Sequence, residues 1–154
     1  MVDTTVVVIA NLVNLLMIGI FLARVRRRKD VERRFGVVIL VLAIPVLAAA
    51  VHNVQTHRSM WFTLLLLPFL FHCLIEWLLD YVWKLDFRST WLVGPYLLVY
   101  YLGLLGLIGY AFLVSRVAGF VTLATYFLNQ LATWYSYARV GHGQADVEGS
   151  LRET

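Results

Sequence analysis

The stretch Met60–Trp83, MWFTLLLLPFLFHCLIEWLLDYVW, decides the fold. It holds no Lys or Arg, and it exceeds the roughly 20 helical residues needed to cross a hydrocarbon core of about 30 Å. Lipid offers no partner to a free backbone amide, so a block of this kind is stable there as a helix. Its unbroken apolarity lacks the alternation of a membrane β-barrel strand. Outward from it, the same reading finds four more blocks, giving spans over about Thr5–Ala23, Phe35–Val54, Met60–Trp83, Trp91–Leu113 and Val117–Tyr137. The expected fold is therefore all-α, a polytopic integral membrane protein built as a bundle of five transmembrane helices. Residues 1–140 form that domain, and the polar segment 141–154 is expected to be a disordered cytoplasmic tail.

Composition agrees with this reading. The chain has 154 residues, 61% hydrophobic and 14% charged, with a mean hydropathy of +0.79. Soluble domains are nearer half apolar and a quarter charged. Connections this short leave no room for a soluble domain, which argues against nucleic acid as a partner. The single cysteine, Cys73, excludes an intramolecular disulfide.

The net charge of +4 is unevenly placed. If the first connection is cytoplasmic, alternate connections put Arg24, Arg26, Arg27, Arg28, Lys29, Arg33, Arg34, Lys84, Arg88, Arg139 and Arg152 inside. Only Arg58 and Arg116 are then outside. Basic residues in short connections set orientation, so the expectation is a multi-pass cell-membrane protein with its N-terminus outside and its C-terminus cytoplasmic. No basic residue precedes the first apolar block, which argues against a signal peptide. Topology alone accounts for the Arg24–Arg34 run, and attraction to anionic membrane lipid is a side effect of it.

Local signals fit the spans. Ser59 stands where it can cap the third helix, and Ser89 or Thr90 the fourth. Pro45 and Pro68 fall inside spans, as membrane helices tolerate when neighbours satisfy the freed carbonyls. Trp61, Trp83, Trp91, Trp134 and Tyr137 lie near expected interfaces. The tight connection at Val114–Arg116 makes the fourth and fifth spans antiparallel neighbours. Gly103, Gly106 and Gly109, and the pair Gly19 and Ala23, are small enough for close helix contact.

The ionisable residues of the third span carry the functional reading. His72, Glu76 and Asp80 are each four residues apart and so share one stripe of the helix. Such groups are costly in hydrocarbon and face a bundle interior or water. Equal depth along the fifth span brings Asn129 level with His72, Thr133 with Glu76 and Tyr137 with Asp80. Thr122 and Tyr126 extend that polar face. Tyr96 and Tyr100 of the fourth span reach comparable depths. The expected ligand or proton site is thus His72, Glu76, Asp80, Tyr96, Tyr100, Asn129 and Thr133, in a seam between the third, fourth and fifth spans. Asp80 also has Lys84 one turn away as an ion-pair partner. His52 and Asn53 are expected at interfacial water, and Asn11 and Asn14 in the same outer layer.

The chemistry open to this set is limited. No clustered His or Cys pattern of a zinc site occurs, so no metal is assigned. Cys73 points about 100° away from His72 on a helix, which argues against a cysteine nucleophile there. No nucleotide or hydrolase fingerprint is present, and no cofactor can be named. His and Glu four apart in a membrane helix resemble the sterol-isomerase-like five-helix proteins. That resemblance would give His72, Glu76, Asn129 and Trp134 to a lipophilic pocket. The length and span count are also similar to those of the tryptophan-rich sensory proteins, and neither resemblance covers enough of the chain to assign a family. The leading expectation is a protein that binds or transports a small lipophilic ligand, a solute or a proton. The alternatives are a structural subunit, as a homo-oligomer or in a larger membrane complex, and an enzyme acting on a lipid-soluble substrate.

Overall fold

The computed structural model describes residues 1–83 and 91–152, with side chains described as far as Arg139. Among the described residues every regular element is helical. Helix α1 is Val2–Val25, α2 Lys29–Gln55, α3 Met60–Leu64, α4 Leu67–Trp77, α5 Val93–Val114 and α6 Arg116–Arg152. A π-helical turn, Leu78–Val82, extends α4. Four segments, Val2–Val25, Lys29–Gln55, Met60–Val82 and Val93–Val114, are long and apolar enough to cross a membrane.

The third apolar block is one segment by composition but three by backbone. Pro68 sits in the first turn of α4 and has no N–H to return to Leu64, so one helical hydrogen bond is missing at this point. The chain turns at Leu65 and Leu66 and restarts. Pro45, by contrast, lies within an uninterrupted α2. Ser59 occupies the position before α3, yet its side chain makes no capping hydrogen bond. The caps expected of Ser89 and Thr90 and the ion pair of Asp80 with Lys84 fall outside the described residues.

Helices α4 and α5 are antiparallel, and glycine sets their spacing. A Cβ on Gly103 would lie 3.0 Å from Phe69 Cα, and one on Gly106 would land on the Leu65 carbonyl oxygen. One on Gly109 would lie 3.0 Å from Leu65 Cδ2. The three-residue spacing of these glycines thus opens a flat track into which the broken α3–α4 backbone settles. Helix α5 also packs antiparallel to α6 through the single linking residue Ser115. The expected neighbours and the internal role of the glycines are both present.

Helix α1 packs most extensively against α6. Asn11 Nδ2 donates to Thr122 Oγ1 at 3.1 Å, and Asn14 Nδ2 donates to Thr125 Oγ1 at 3.2 Å. Thr125 Oγ1 in turn donates to Asn11 Oδ1 at 3.0 Å. The shared offset of the pairs Asn11–Thr122 and Asn14–Thr125 shows two parallel helices in register. Asn11, Asn14 and Thr122 therefore join α1 to α6, where the sequence reading put the asparagines in an outer layer and Thr122 opposite the third span. The core runs between α1, α4 and α5 through Val6, Val13, Leu66, Phe69, Leu107 and Tyr110.

Candidate functional site

The bundle has two unlike ends, one marked by Arg58 and the other by the basic residues that follow α1. At the basic end, α4 and α5 bring together most of the expected set. His72 Nε2 lies 3.2 Å from Glu76 Oε2, and the Tyr96 hydroxyl donates to the same oxygen at 2.9 Å. The His72 ring lies 5.3 Å from that of Tyr96 and 5.2 Å from that of Tyr100. Asn129 Nδ2 donates to the Tyr100 hydroxyl at 3.2 Å, so α6 joins the group through Tyr100. As residue numbers rise on α4 they fall on α5, placing His72 against Tyr100 and Glu76 against Tyr96. This is the antiparallel register that the glycines impose.

Thr133 and Asp80 depart from the expected pattern in different ways. Thr133 Oγ1 donates to the Asn129 carbonyl of its own helix at 2.8 Å, so it acts within α6. Helix α6 packs chiefly on α1 and α5, so equal depth along α4 and α6 did not decide which side chains bond. Asp80 falls in the π-helical turn, where Trp83 N donates to the Leu78 carbonyl five residues back. That wider bonding releases Asp80 from a strict four-residue stripe, and it still lines the same cavity as Glu76.

That cavity has a volume of about 580 Å³. Glu76, Tyr96 and Tyr100 line its buried side, and Met17, Ile20, Phe21, Leu40 and Leu97 supply apolar wall. Arg24, Lys29, Glu32 and Arg33 line it where α1 gives way to α2, and Tyr137 borders it from α6. Arg24 pairs with Glu32. Lys29 and Arg33 are exposed. The sequence reading missed the α1 wall and assigned the basic run to topology alone. A helical pattern shows which faces are polar, but not which helix stands opposite them. His72 lies behind the wall, 1% exposed, with Nδ1 lacking a hydrogen-bond partner among the described residues. It is 3.2 Å from Glu76 without the alignment of a hydrogen bond, and its ring packs against two phenols.

The Arg58 end is built from similar groups, and there they bond to one another. Arg58 Nη1 donates to Asp3 Oδ1 at 2.6 Å and Nη2 to Oδ2 at 3.2 Å. The Tyr110 hydroxyl donates to Asp3 Oδ1 at 2.8 Å, and Arg58 also reaches Asn53 Oδ1 at 3.3 Å. Hydrogen bonding to Asp3 holds the Arg58 guanidinium above its ordinary pKa. Phe62 packs under Arg58, 4.0 Å from guanidinium carbon to ring centre. Asn53 is therefore buried here, not at interfacial water, while His52 is exposed as expected. The pairing had a signal in the sequence: Asp3 is the only acidic residue assigned to the end that holds Arg58.

Among the described residues, no three His, Cys, Asp or Glu gather closely enough to hold a metal ion. Compared with protein-family models, curated proteins and solved structures, the chain matches none.

Proposed function

We propose that this chain is a five-span membrane protein that binds a small amphipathic molecule in the cavity at its basic end. The observation that carries the reading is the Glu76 carboxylate, held by Tyr96 and His72, in a cavity of about 580 Å³ whose wall is apolar along α1 and charged where α1 gives way to α2. Ligand sites commonly combine this size with mostly apolar lining and a few placed polar groups. Glu76 would take the hydrogen-bonding part of the ligand, Tyr96 and Tyr100 would orient it, and the α1 side chains would cover its apolar part.

The fifth span rests on α6. Its polar residues Thr122, Asn129 and Ser136 are buried, while Val117, Phe120, Val121, Phe127, Leu128, Leu131 and Trp134 face outward. A helix with its polar groups inside and its apolar groups outside suits lipid as its surroundings. With α6 counted, the charge bias places the basic end in the cytoplasm and Arg58 outside. The mutually bonded groups at the Arg58 end and the cavity at the basic end favour binding from the cytoplasmic side.

The test compares small molecules that co-purify with wild-type protein, Glu76→Gln and Glu76→Leu, identified by mass spectrometry after detergent purification. The expected result is a defined molecule on wild type, reduced at least tenfold on Glu76→Leu, with all three proteins equally helical by circular dichroism. Identical co-purifying molecules on all three would overturn the reading.

A further inference from the structure

A second concavity lies beside the first. It is a groove of about 910 Å³ between α2, α4 and α5, and its lining is almost wholly apolar, including Ala43, Ile44, Leu47, Phe71, Leu74 and Trp77. Leu40 belongs to the walls of both this groove and the Glu76 cavity. The two spaces are thus neighbours across one side chain. Helix α2 is sparsely buried along its apolar length, which leaves the groove open on the outer surface of the bundle.

Charge distinguishes the two spaces. Lys29 and Arg33 line the cavity at its basic end and sit one turn apart on α2, while the carboxyl groups of Glu32, Glu76 and Asp80 line it as well. Neither makes an ion pair or side-chain hydrogen bond among the described residues, whereas Arg24 in the same wall is taken by Glu32. From Arg33 to Leu47 along α2 is about 21 Å at helical rise. That is half of a bilayer roughly 40–45 Å thick with its headgroups, or one leaflet.

Building on the amphipathic-ligand reading, we propose that the occupant is an anionic acyl amphiphile. Its phosphate or carboxylate head is held by Lys29 and Arg33, and an acyl chain passes Leu40 into the groove against Trp77. A guanidinium and an ammonium one turn apart give such a head two cationic donors. The groove gives the chain a surface without polar atoms that would need partners. The structure thus ties together two features that topology and lipid contact would each explain separately: cations that line a cavity, and an apolar groove that begins where the cavity ends.

The test uses bromine, which quenches tryptophan fluorescence at short range. Full-length protein with Trp61, Trp83, Trp91 and Trp134 changed to Phe, leaving Trp77 as the reporter, is placed in phosphatidylcholine nanodiscs. Brominated phosphatidylglycerol, brominated phosphatidylcholine and brominated stearate are titrated at low mole fraction. The expected result is half-maximal Trp77 quenching by an anionic probe at a mole fraction about tenfold or more below that for the zwitterionic one. Lys29→Gln with Arg33→Gln abolishes the difference, and both are surface positions whose change leaves the fold intact. A stronger response to phosphatidylglycerol identifies a membrane lipid as the source, and a stronger response to stearate a free single-chain amphiphile. Equal quenching by anionic and zwitterionic probes in wild type would overturn the proposal, as would an undiminished preference in the double variant. Full protection by inorganic phosphate at millimolar concentration would also overturn it, since the site would then read the head alone. Absence of the charge preference in the protein with both cations present, with Glu76-dependent co-purification intact, would reject the anionic ligand and leave the cavity reading standing.

Discussion

The two ends of this bundle use nearly the same side chains to opposite effect. At the Arg58 end a carboxylate, a phenol and a cation, Asp3, Tyr110 and Arg58, close on one another between α1, α5 and the α2–α3 connection. At the basic end a carboxylate, a phenol and an imidazole, Glu76, Tyr96 and His72, stand along α4 and α5 and border a cavity. The difference lies in the backbone. Near the Arg58 end, Gly106 lets α5 meet the backbone of the α3–α4 break at Leu65, and Gly109 receives the Leu65 side chain. Toward the basic end, the same helix pair carries Tyr96 and Tyr100 against Glu76 and His72, and the space between these helices, α1 and the start of α2 stays hollow. Polar groups therefore act as a clamp where glycine permits contact and as a lining where large residues hold helices apart.

The most severe way to break this contrast is to remove the close approach. Gly106→Leu drives a side chain into the Leu65 carbonyl, whereas Gly94, with nothing within 4 Å of its would-be Cβ, accepts the same change. The expected loss for Gly106→Leu is about 3 kcal/mol or complete failure to fold, against a small effect for Gly94→Leu. Thermal unfolding in detergent compares the two, and similar melting of both would remove glycine spacing as the cause.

A smaller effect separates clamp from lining. Arg58→Ala leaves Asp3 without its cation, and with both side chains about a third exposed the loss should be about 1–2 kcal/mol. Tyr110→Phe should cost about 1 kcal/mol, since it removes one hydrogen bond to the same carboxylate. Glu76→Gln should stay within about 0.5 kcal/mol of wild type, because an amide oxygen still accepts from Tyr96. Chemical unfolding of the three variants gives the order directly. A Glu76→Gln loss as large as that of Arg58→Ala would mean that the basic end is also a clamp.

These particulars show what was legible in the sequence. Apolar block lengths and the bunching of Lys and Arg specify helices and their order, because both follow from the cost of leaving amides or charges in lipid. The His72–Glu76 stripe and its meeting with Tyr96 and Tyr100 were legible too, since consecutive antiparallel spans have few ways to pair. Thr133 and Thr122 were misplaced because depth along a helix does not say which neighbour it faces. Thr122 turned to α1, and Thr133 bonded its own backbone. Asn53 was read as wet because it lies near a helix end, where Arg58 instead folds back over it. The basic wall of the cavity was hidden because orientation already explained those charges in full.

If Glu76 serves a ligand site, the space beside it opens toward the basic end. This can be measured by placing single cysteines in a Cys73→Ser background and labelling them with a membrane-impermeant maleimide in sealed vesicles of each orientation. Leu97 lines the cavity, whereas Leu107 is packed in the core near the Arg58 end. The account predicts that Leu97→Cys reacts only when the Arg24–Arg34 side faces the reagent, and that Leu107→Cys reacts from neither side. Labelling of Leu97→Cys from the Arg58 side, or from neither side, would contradict it.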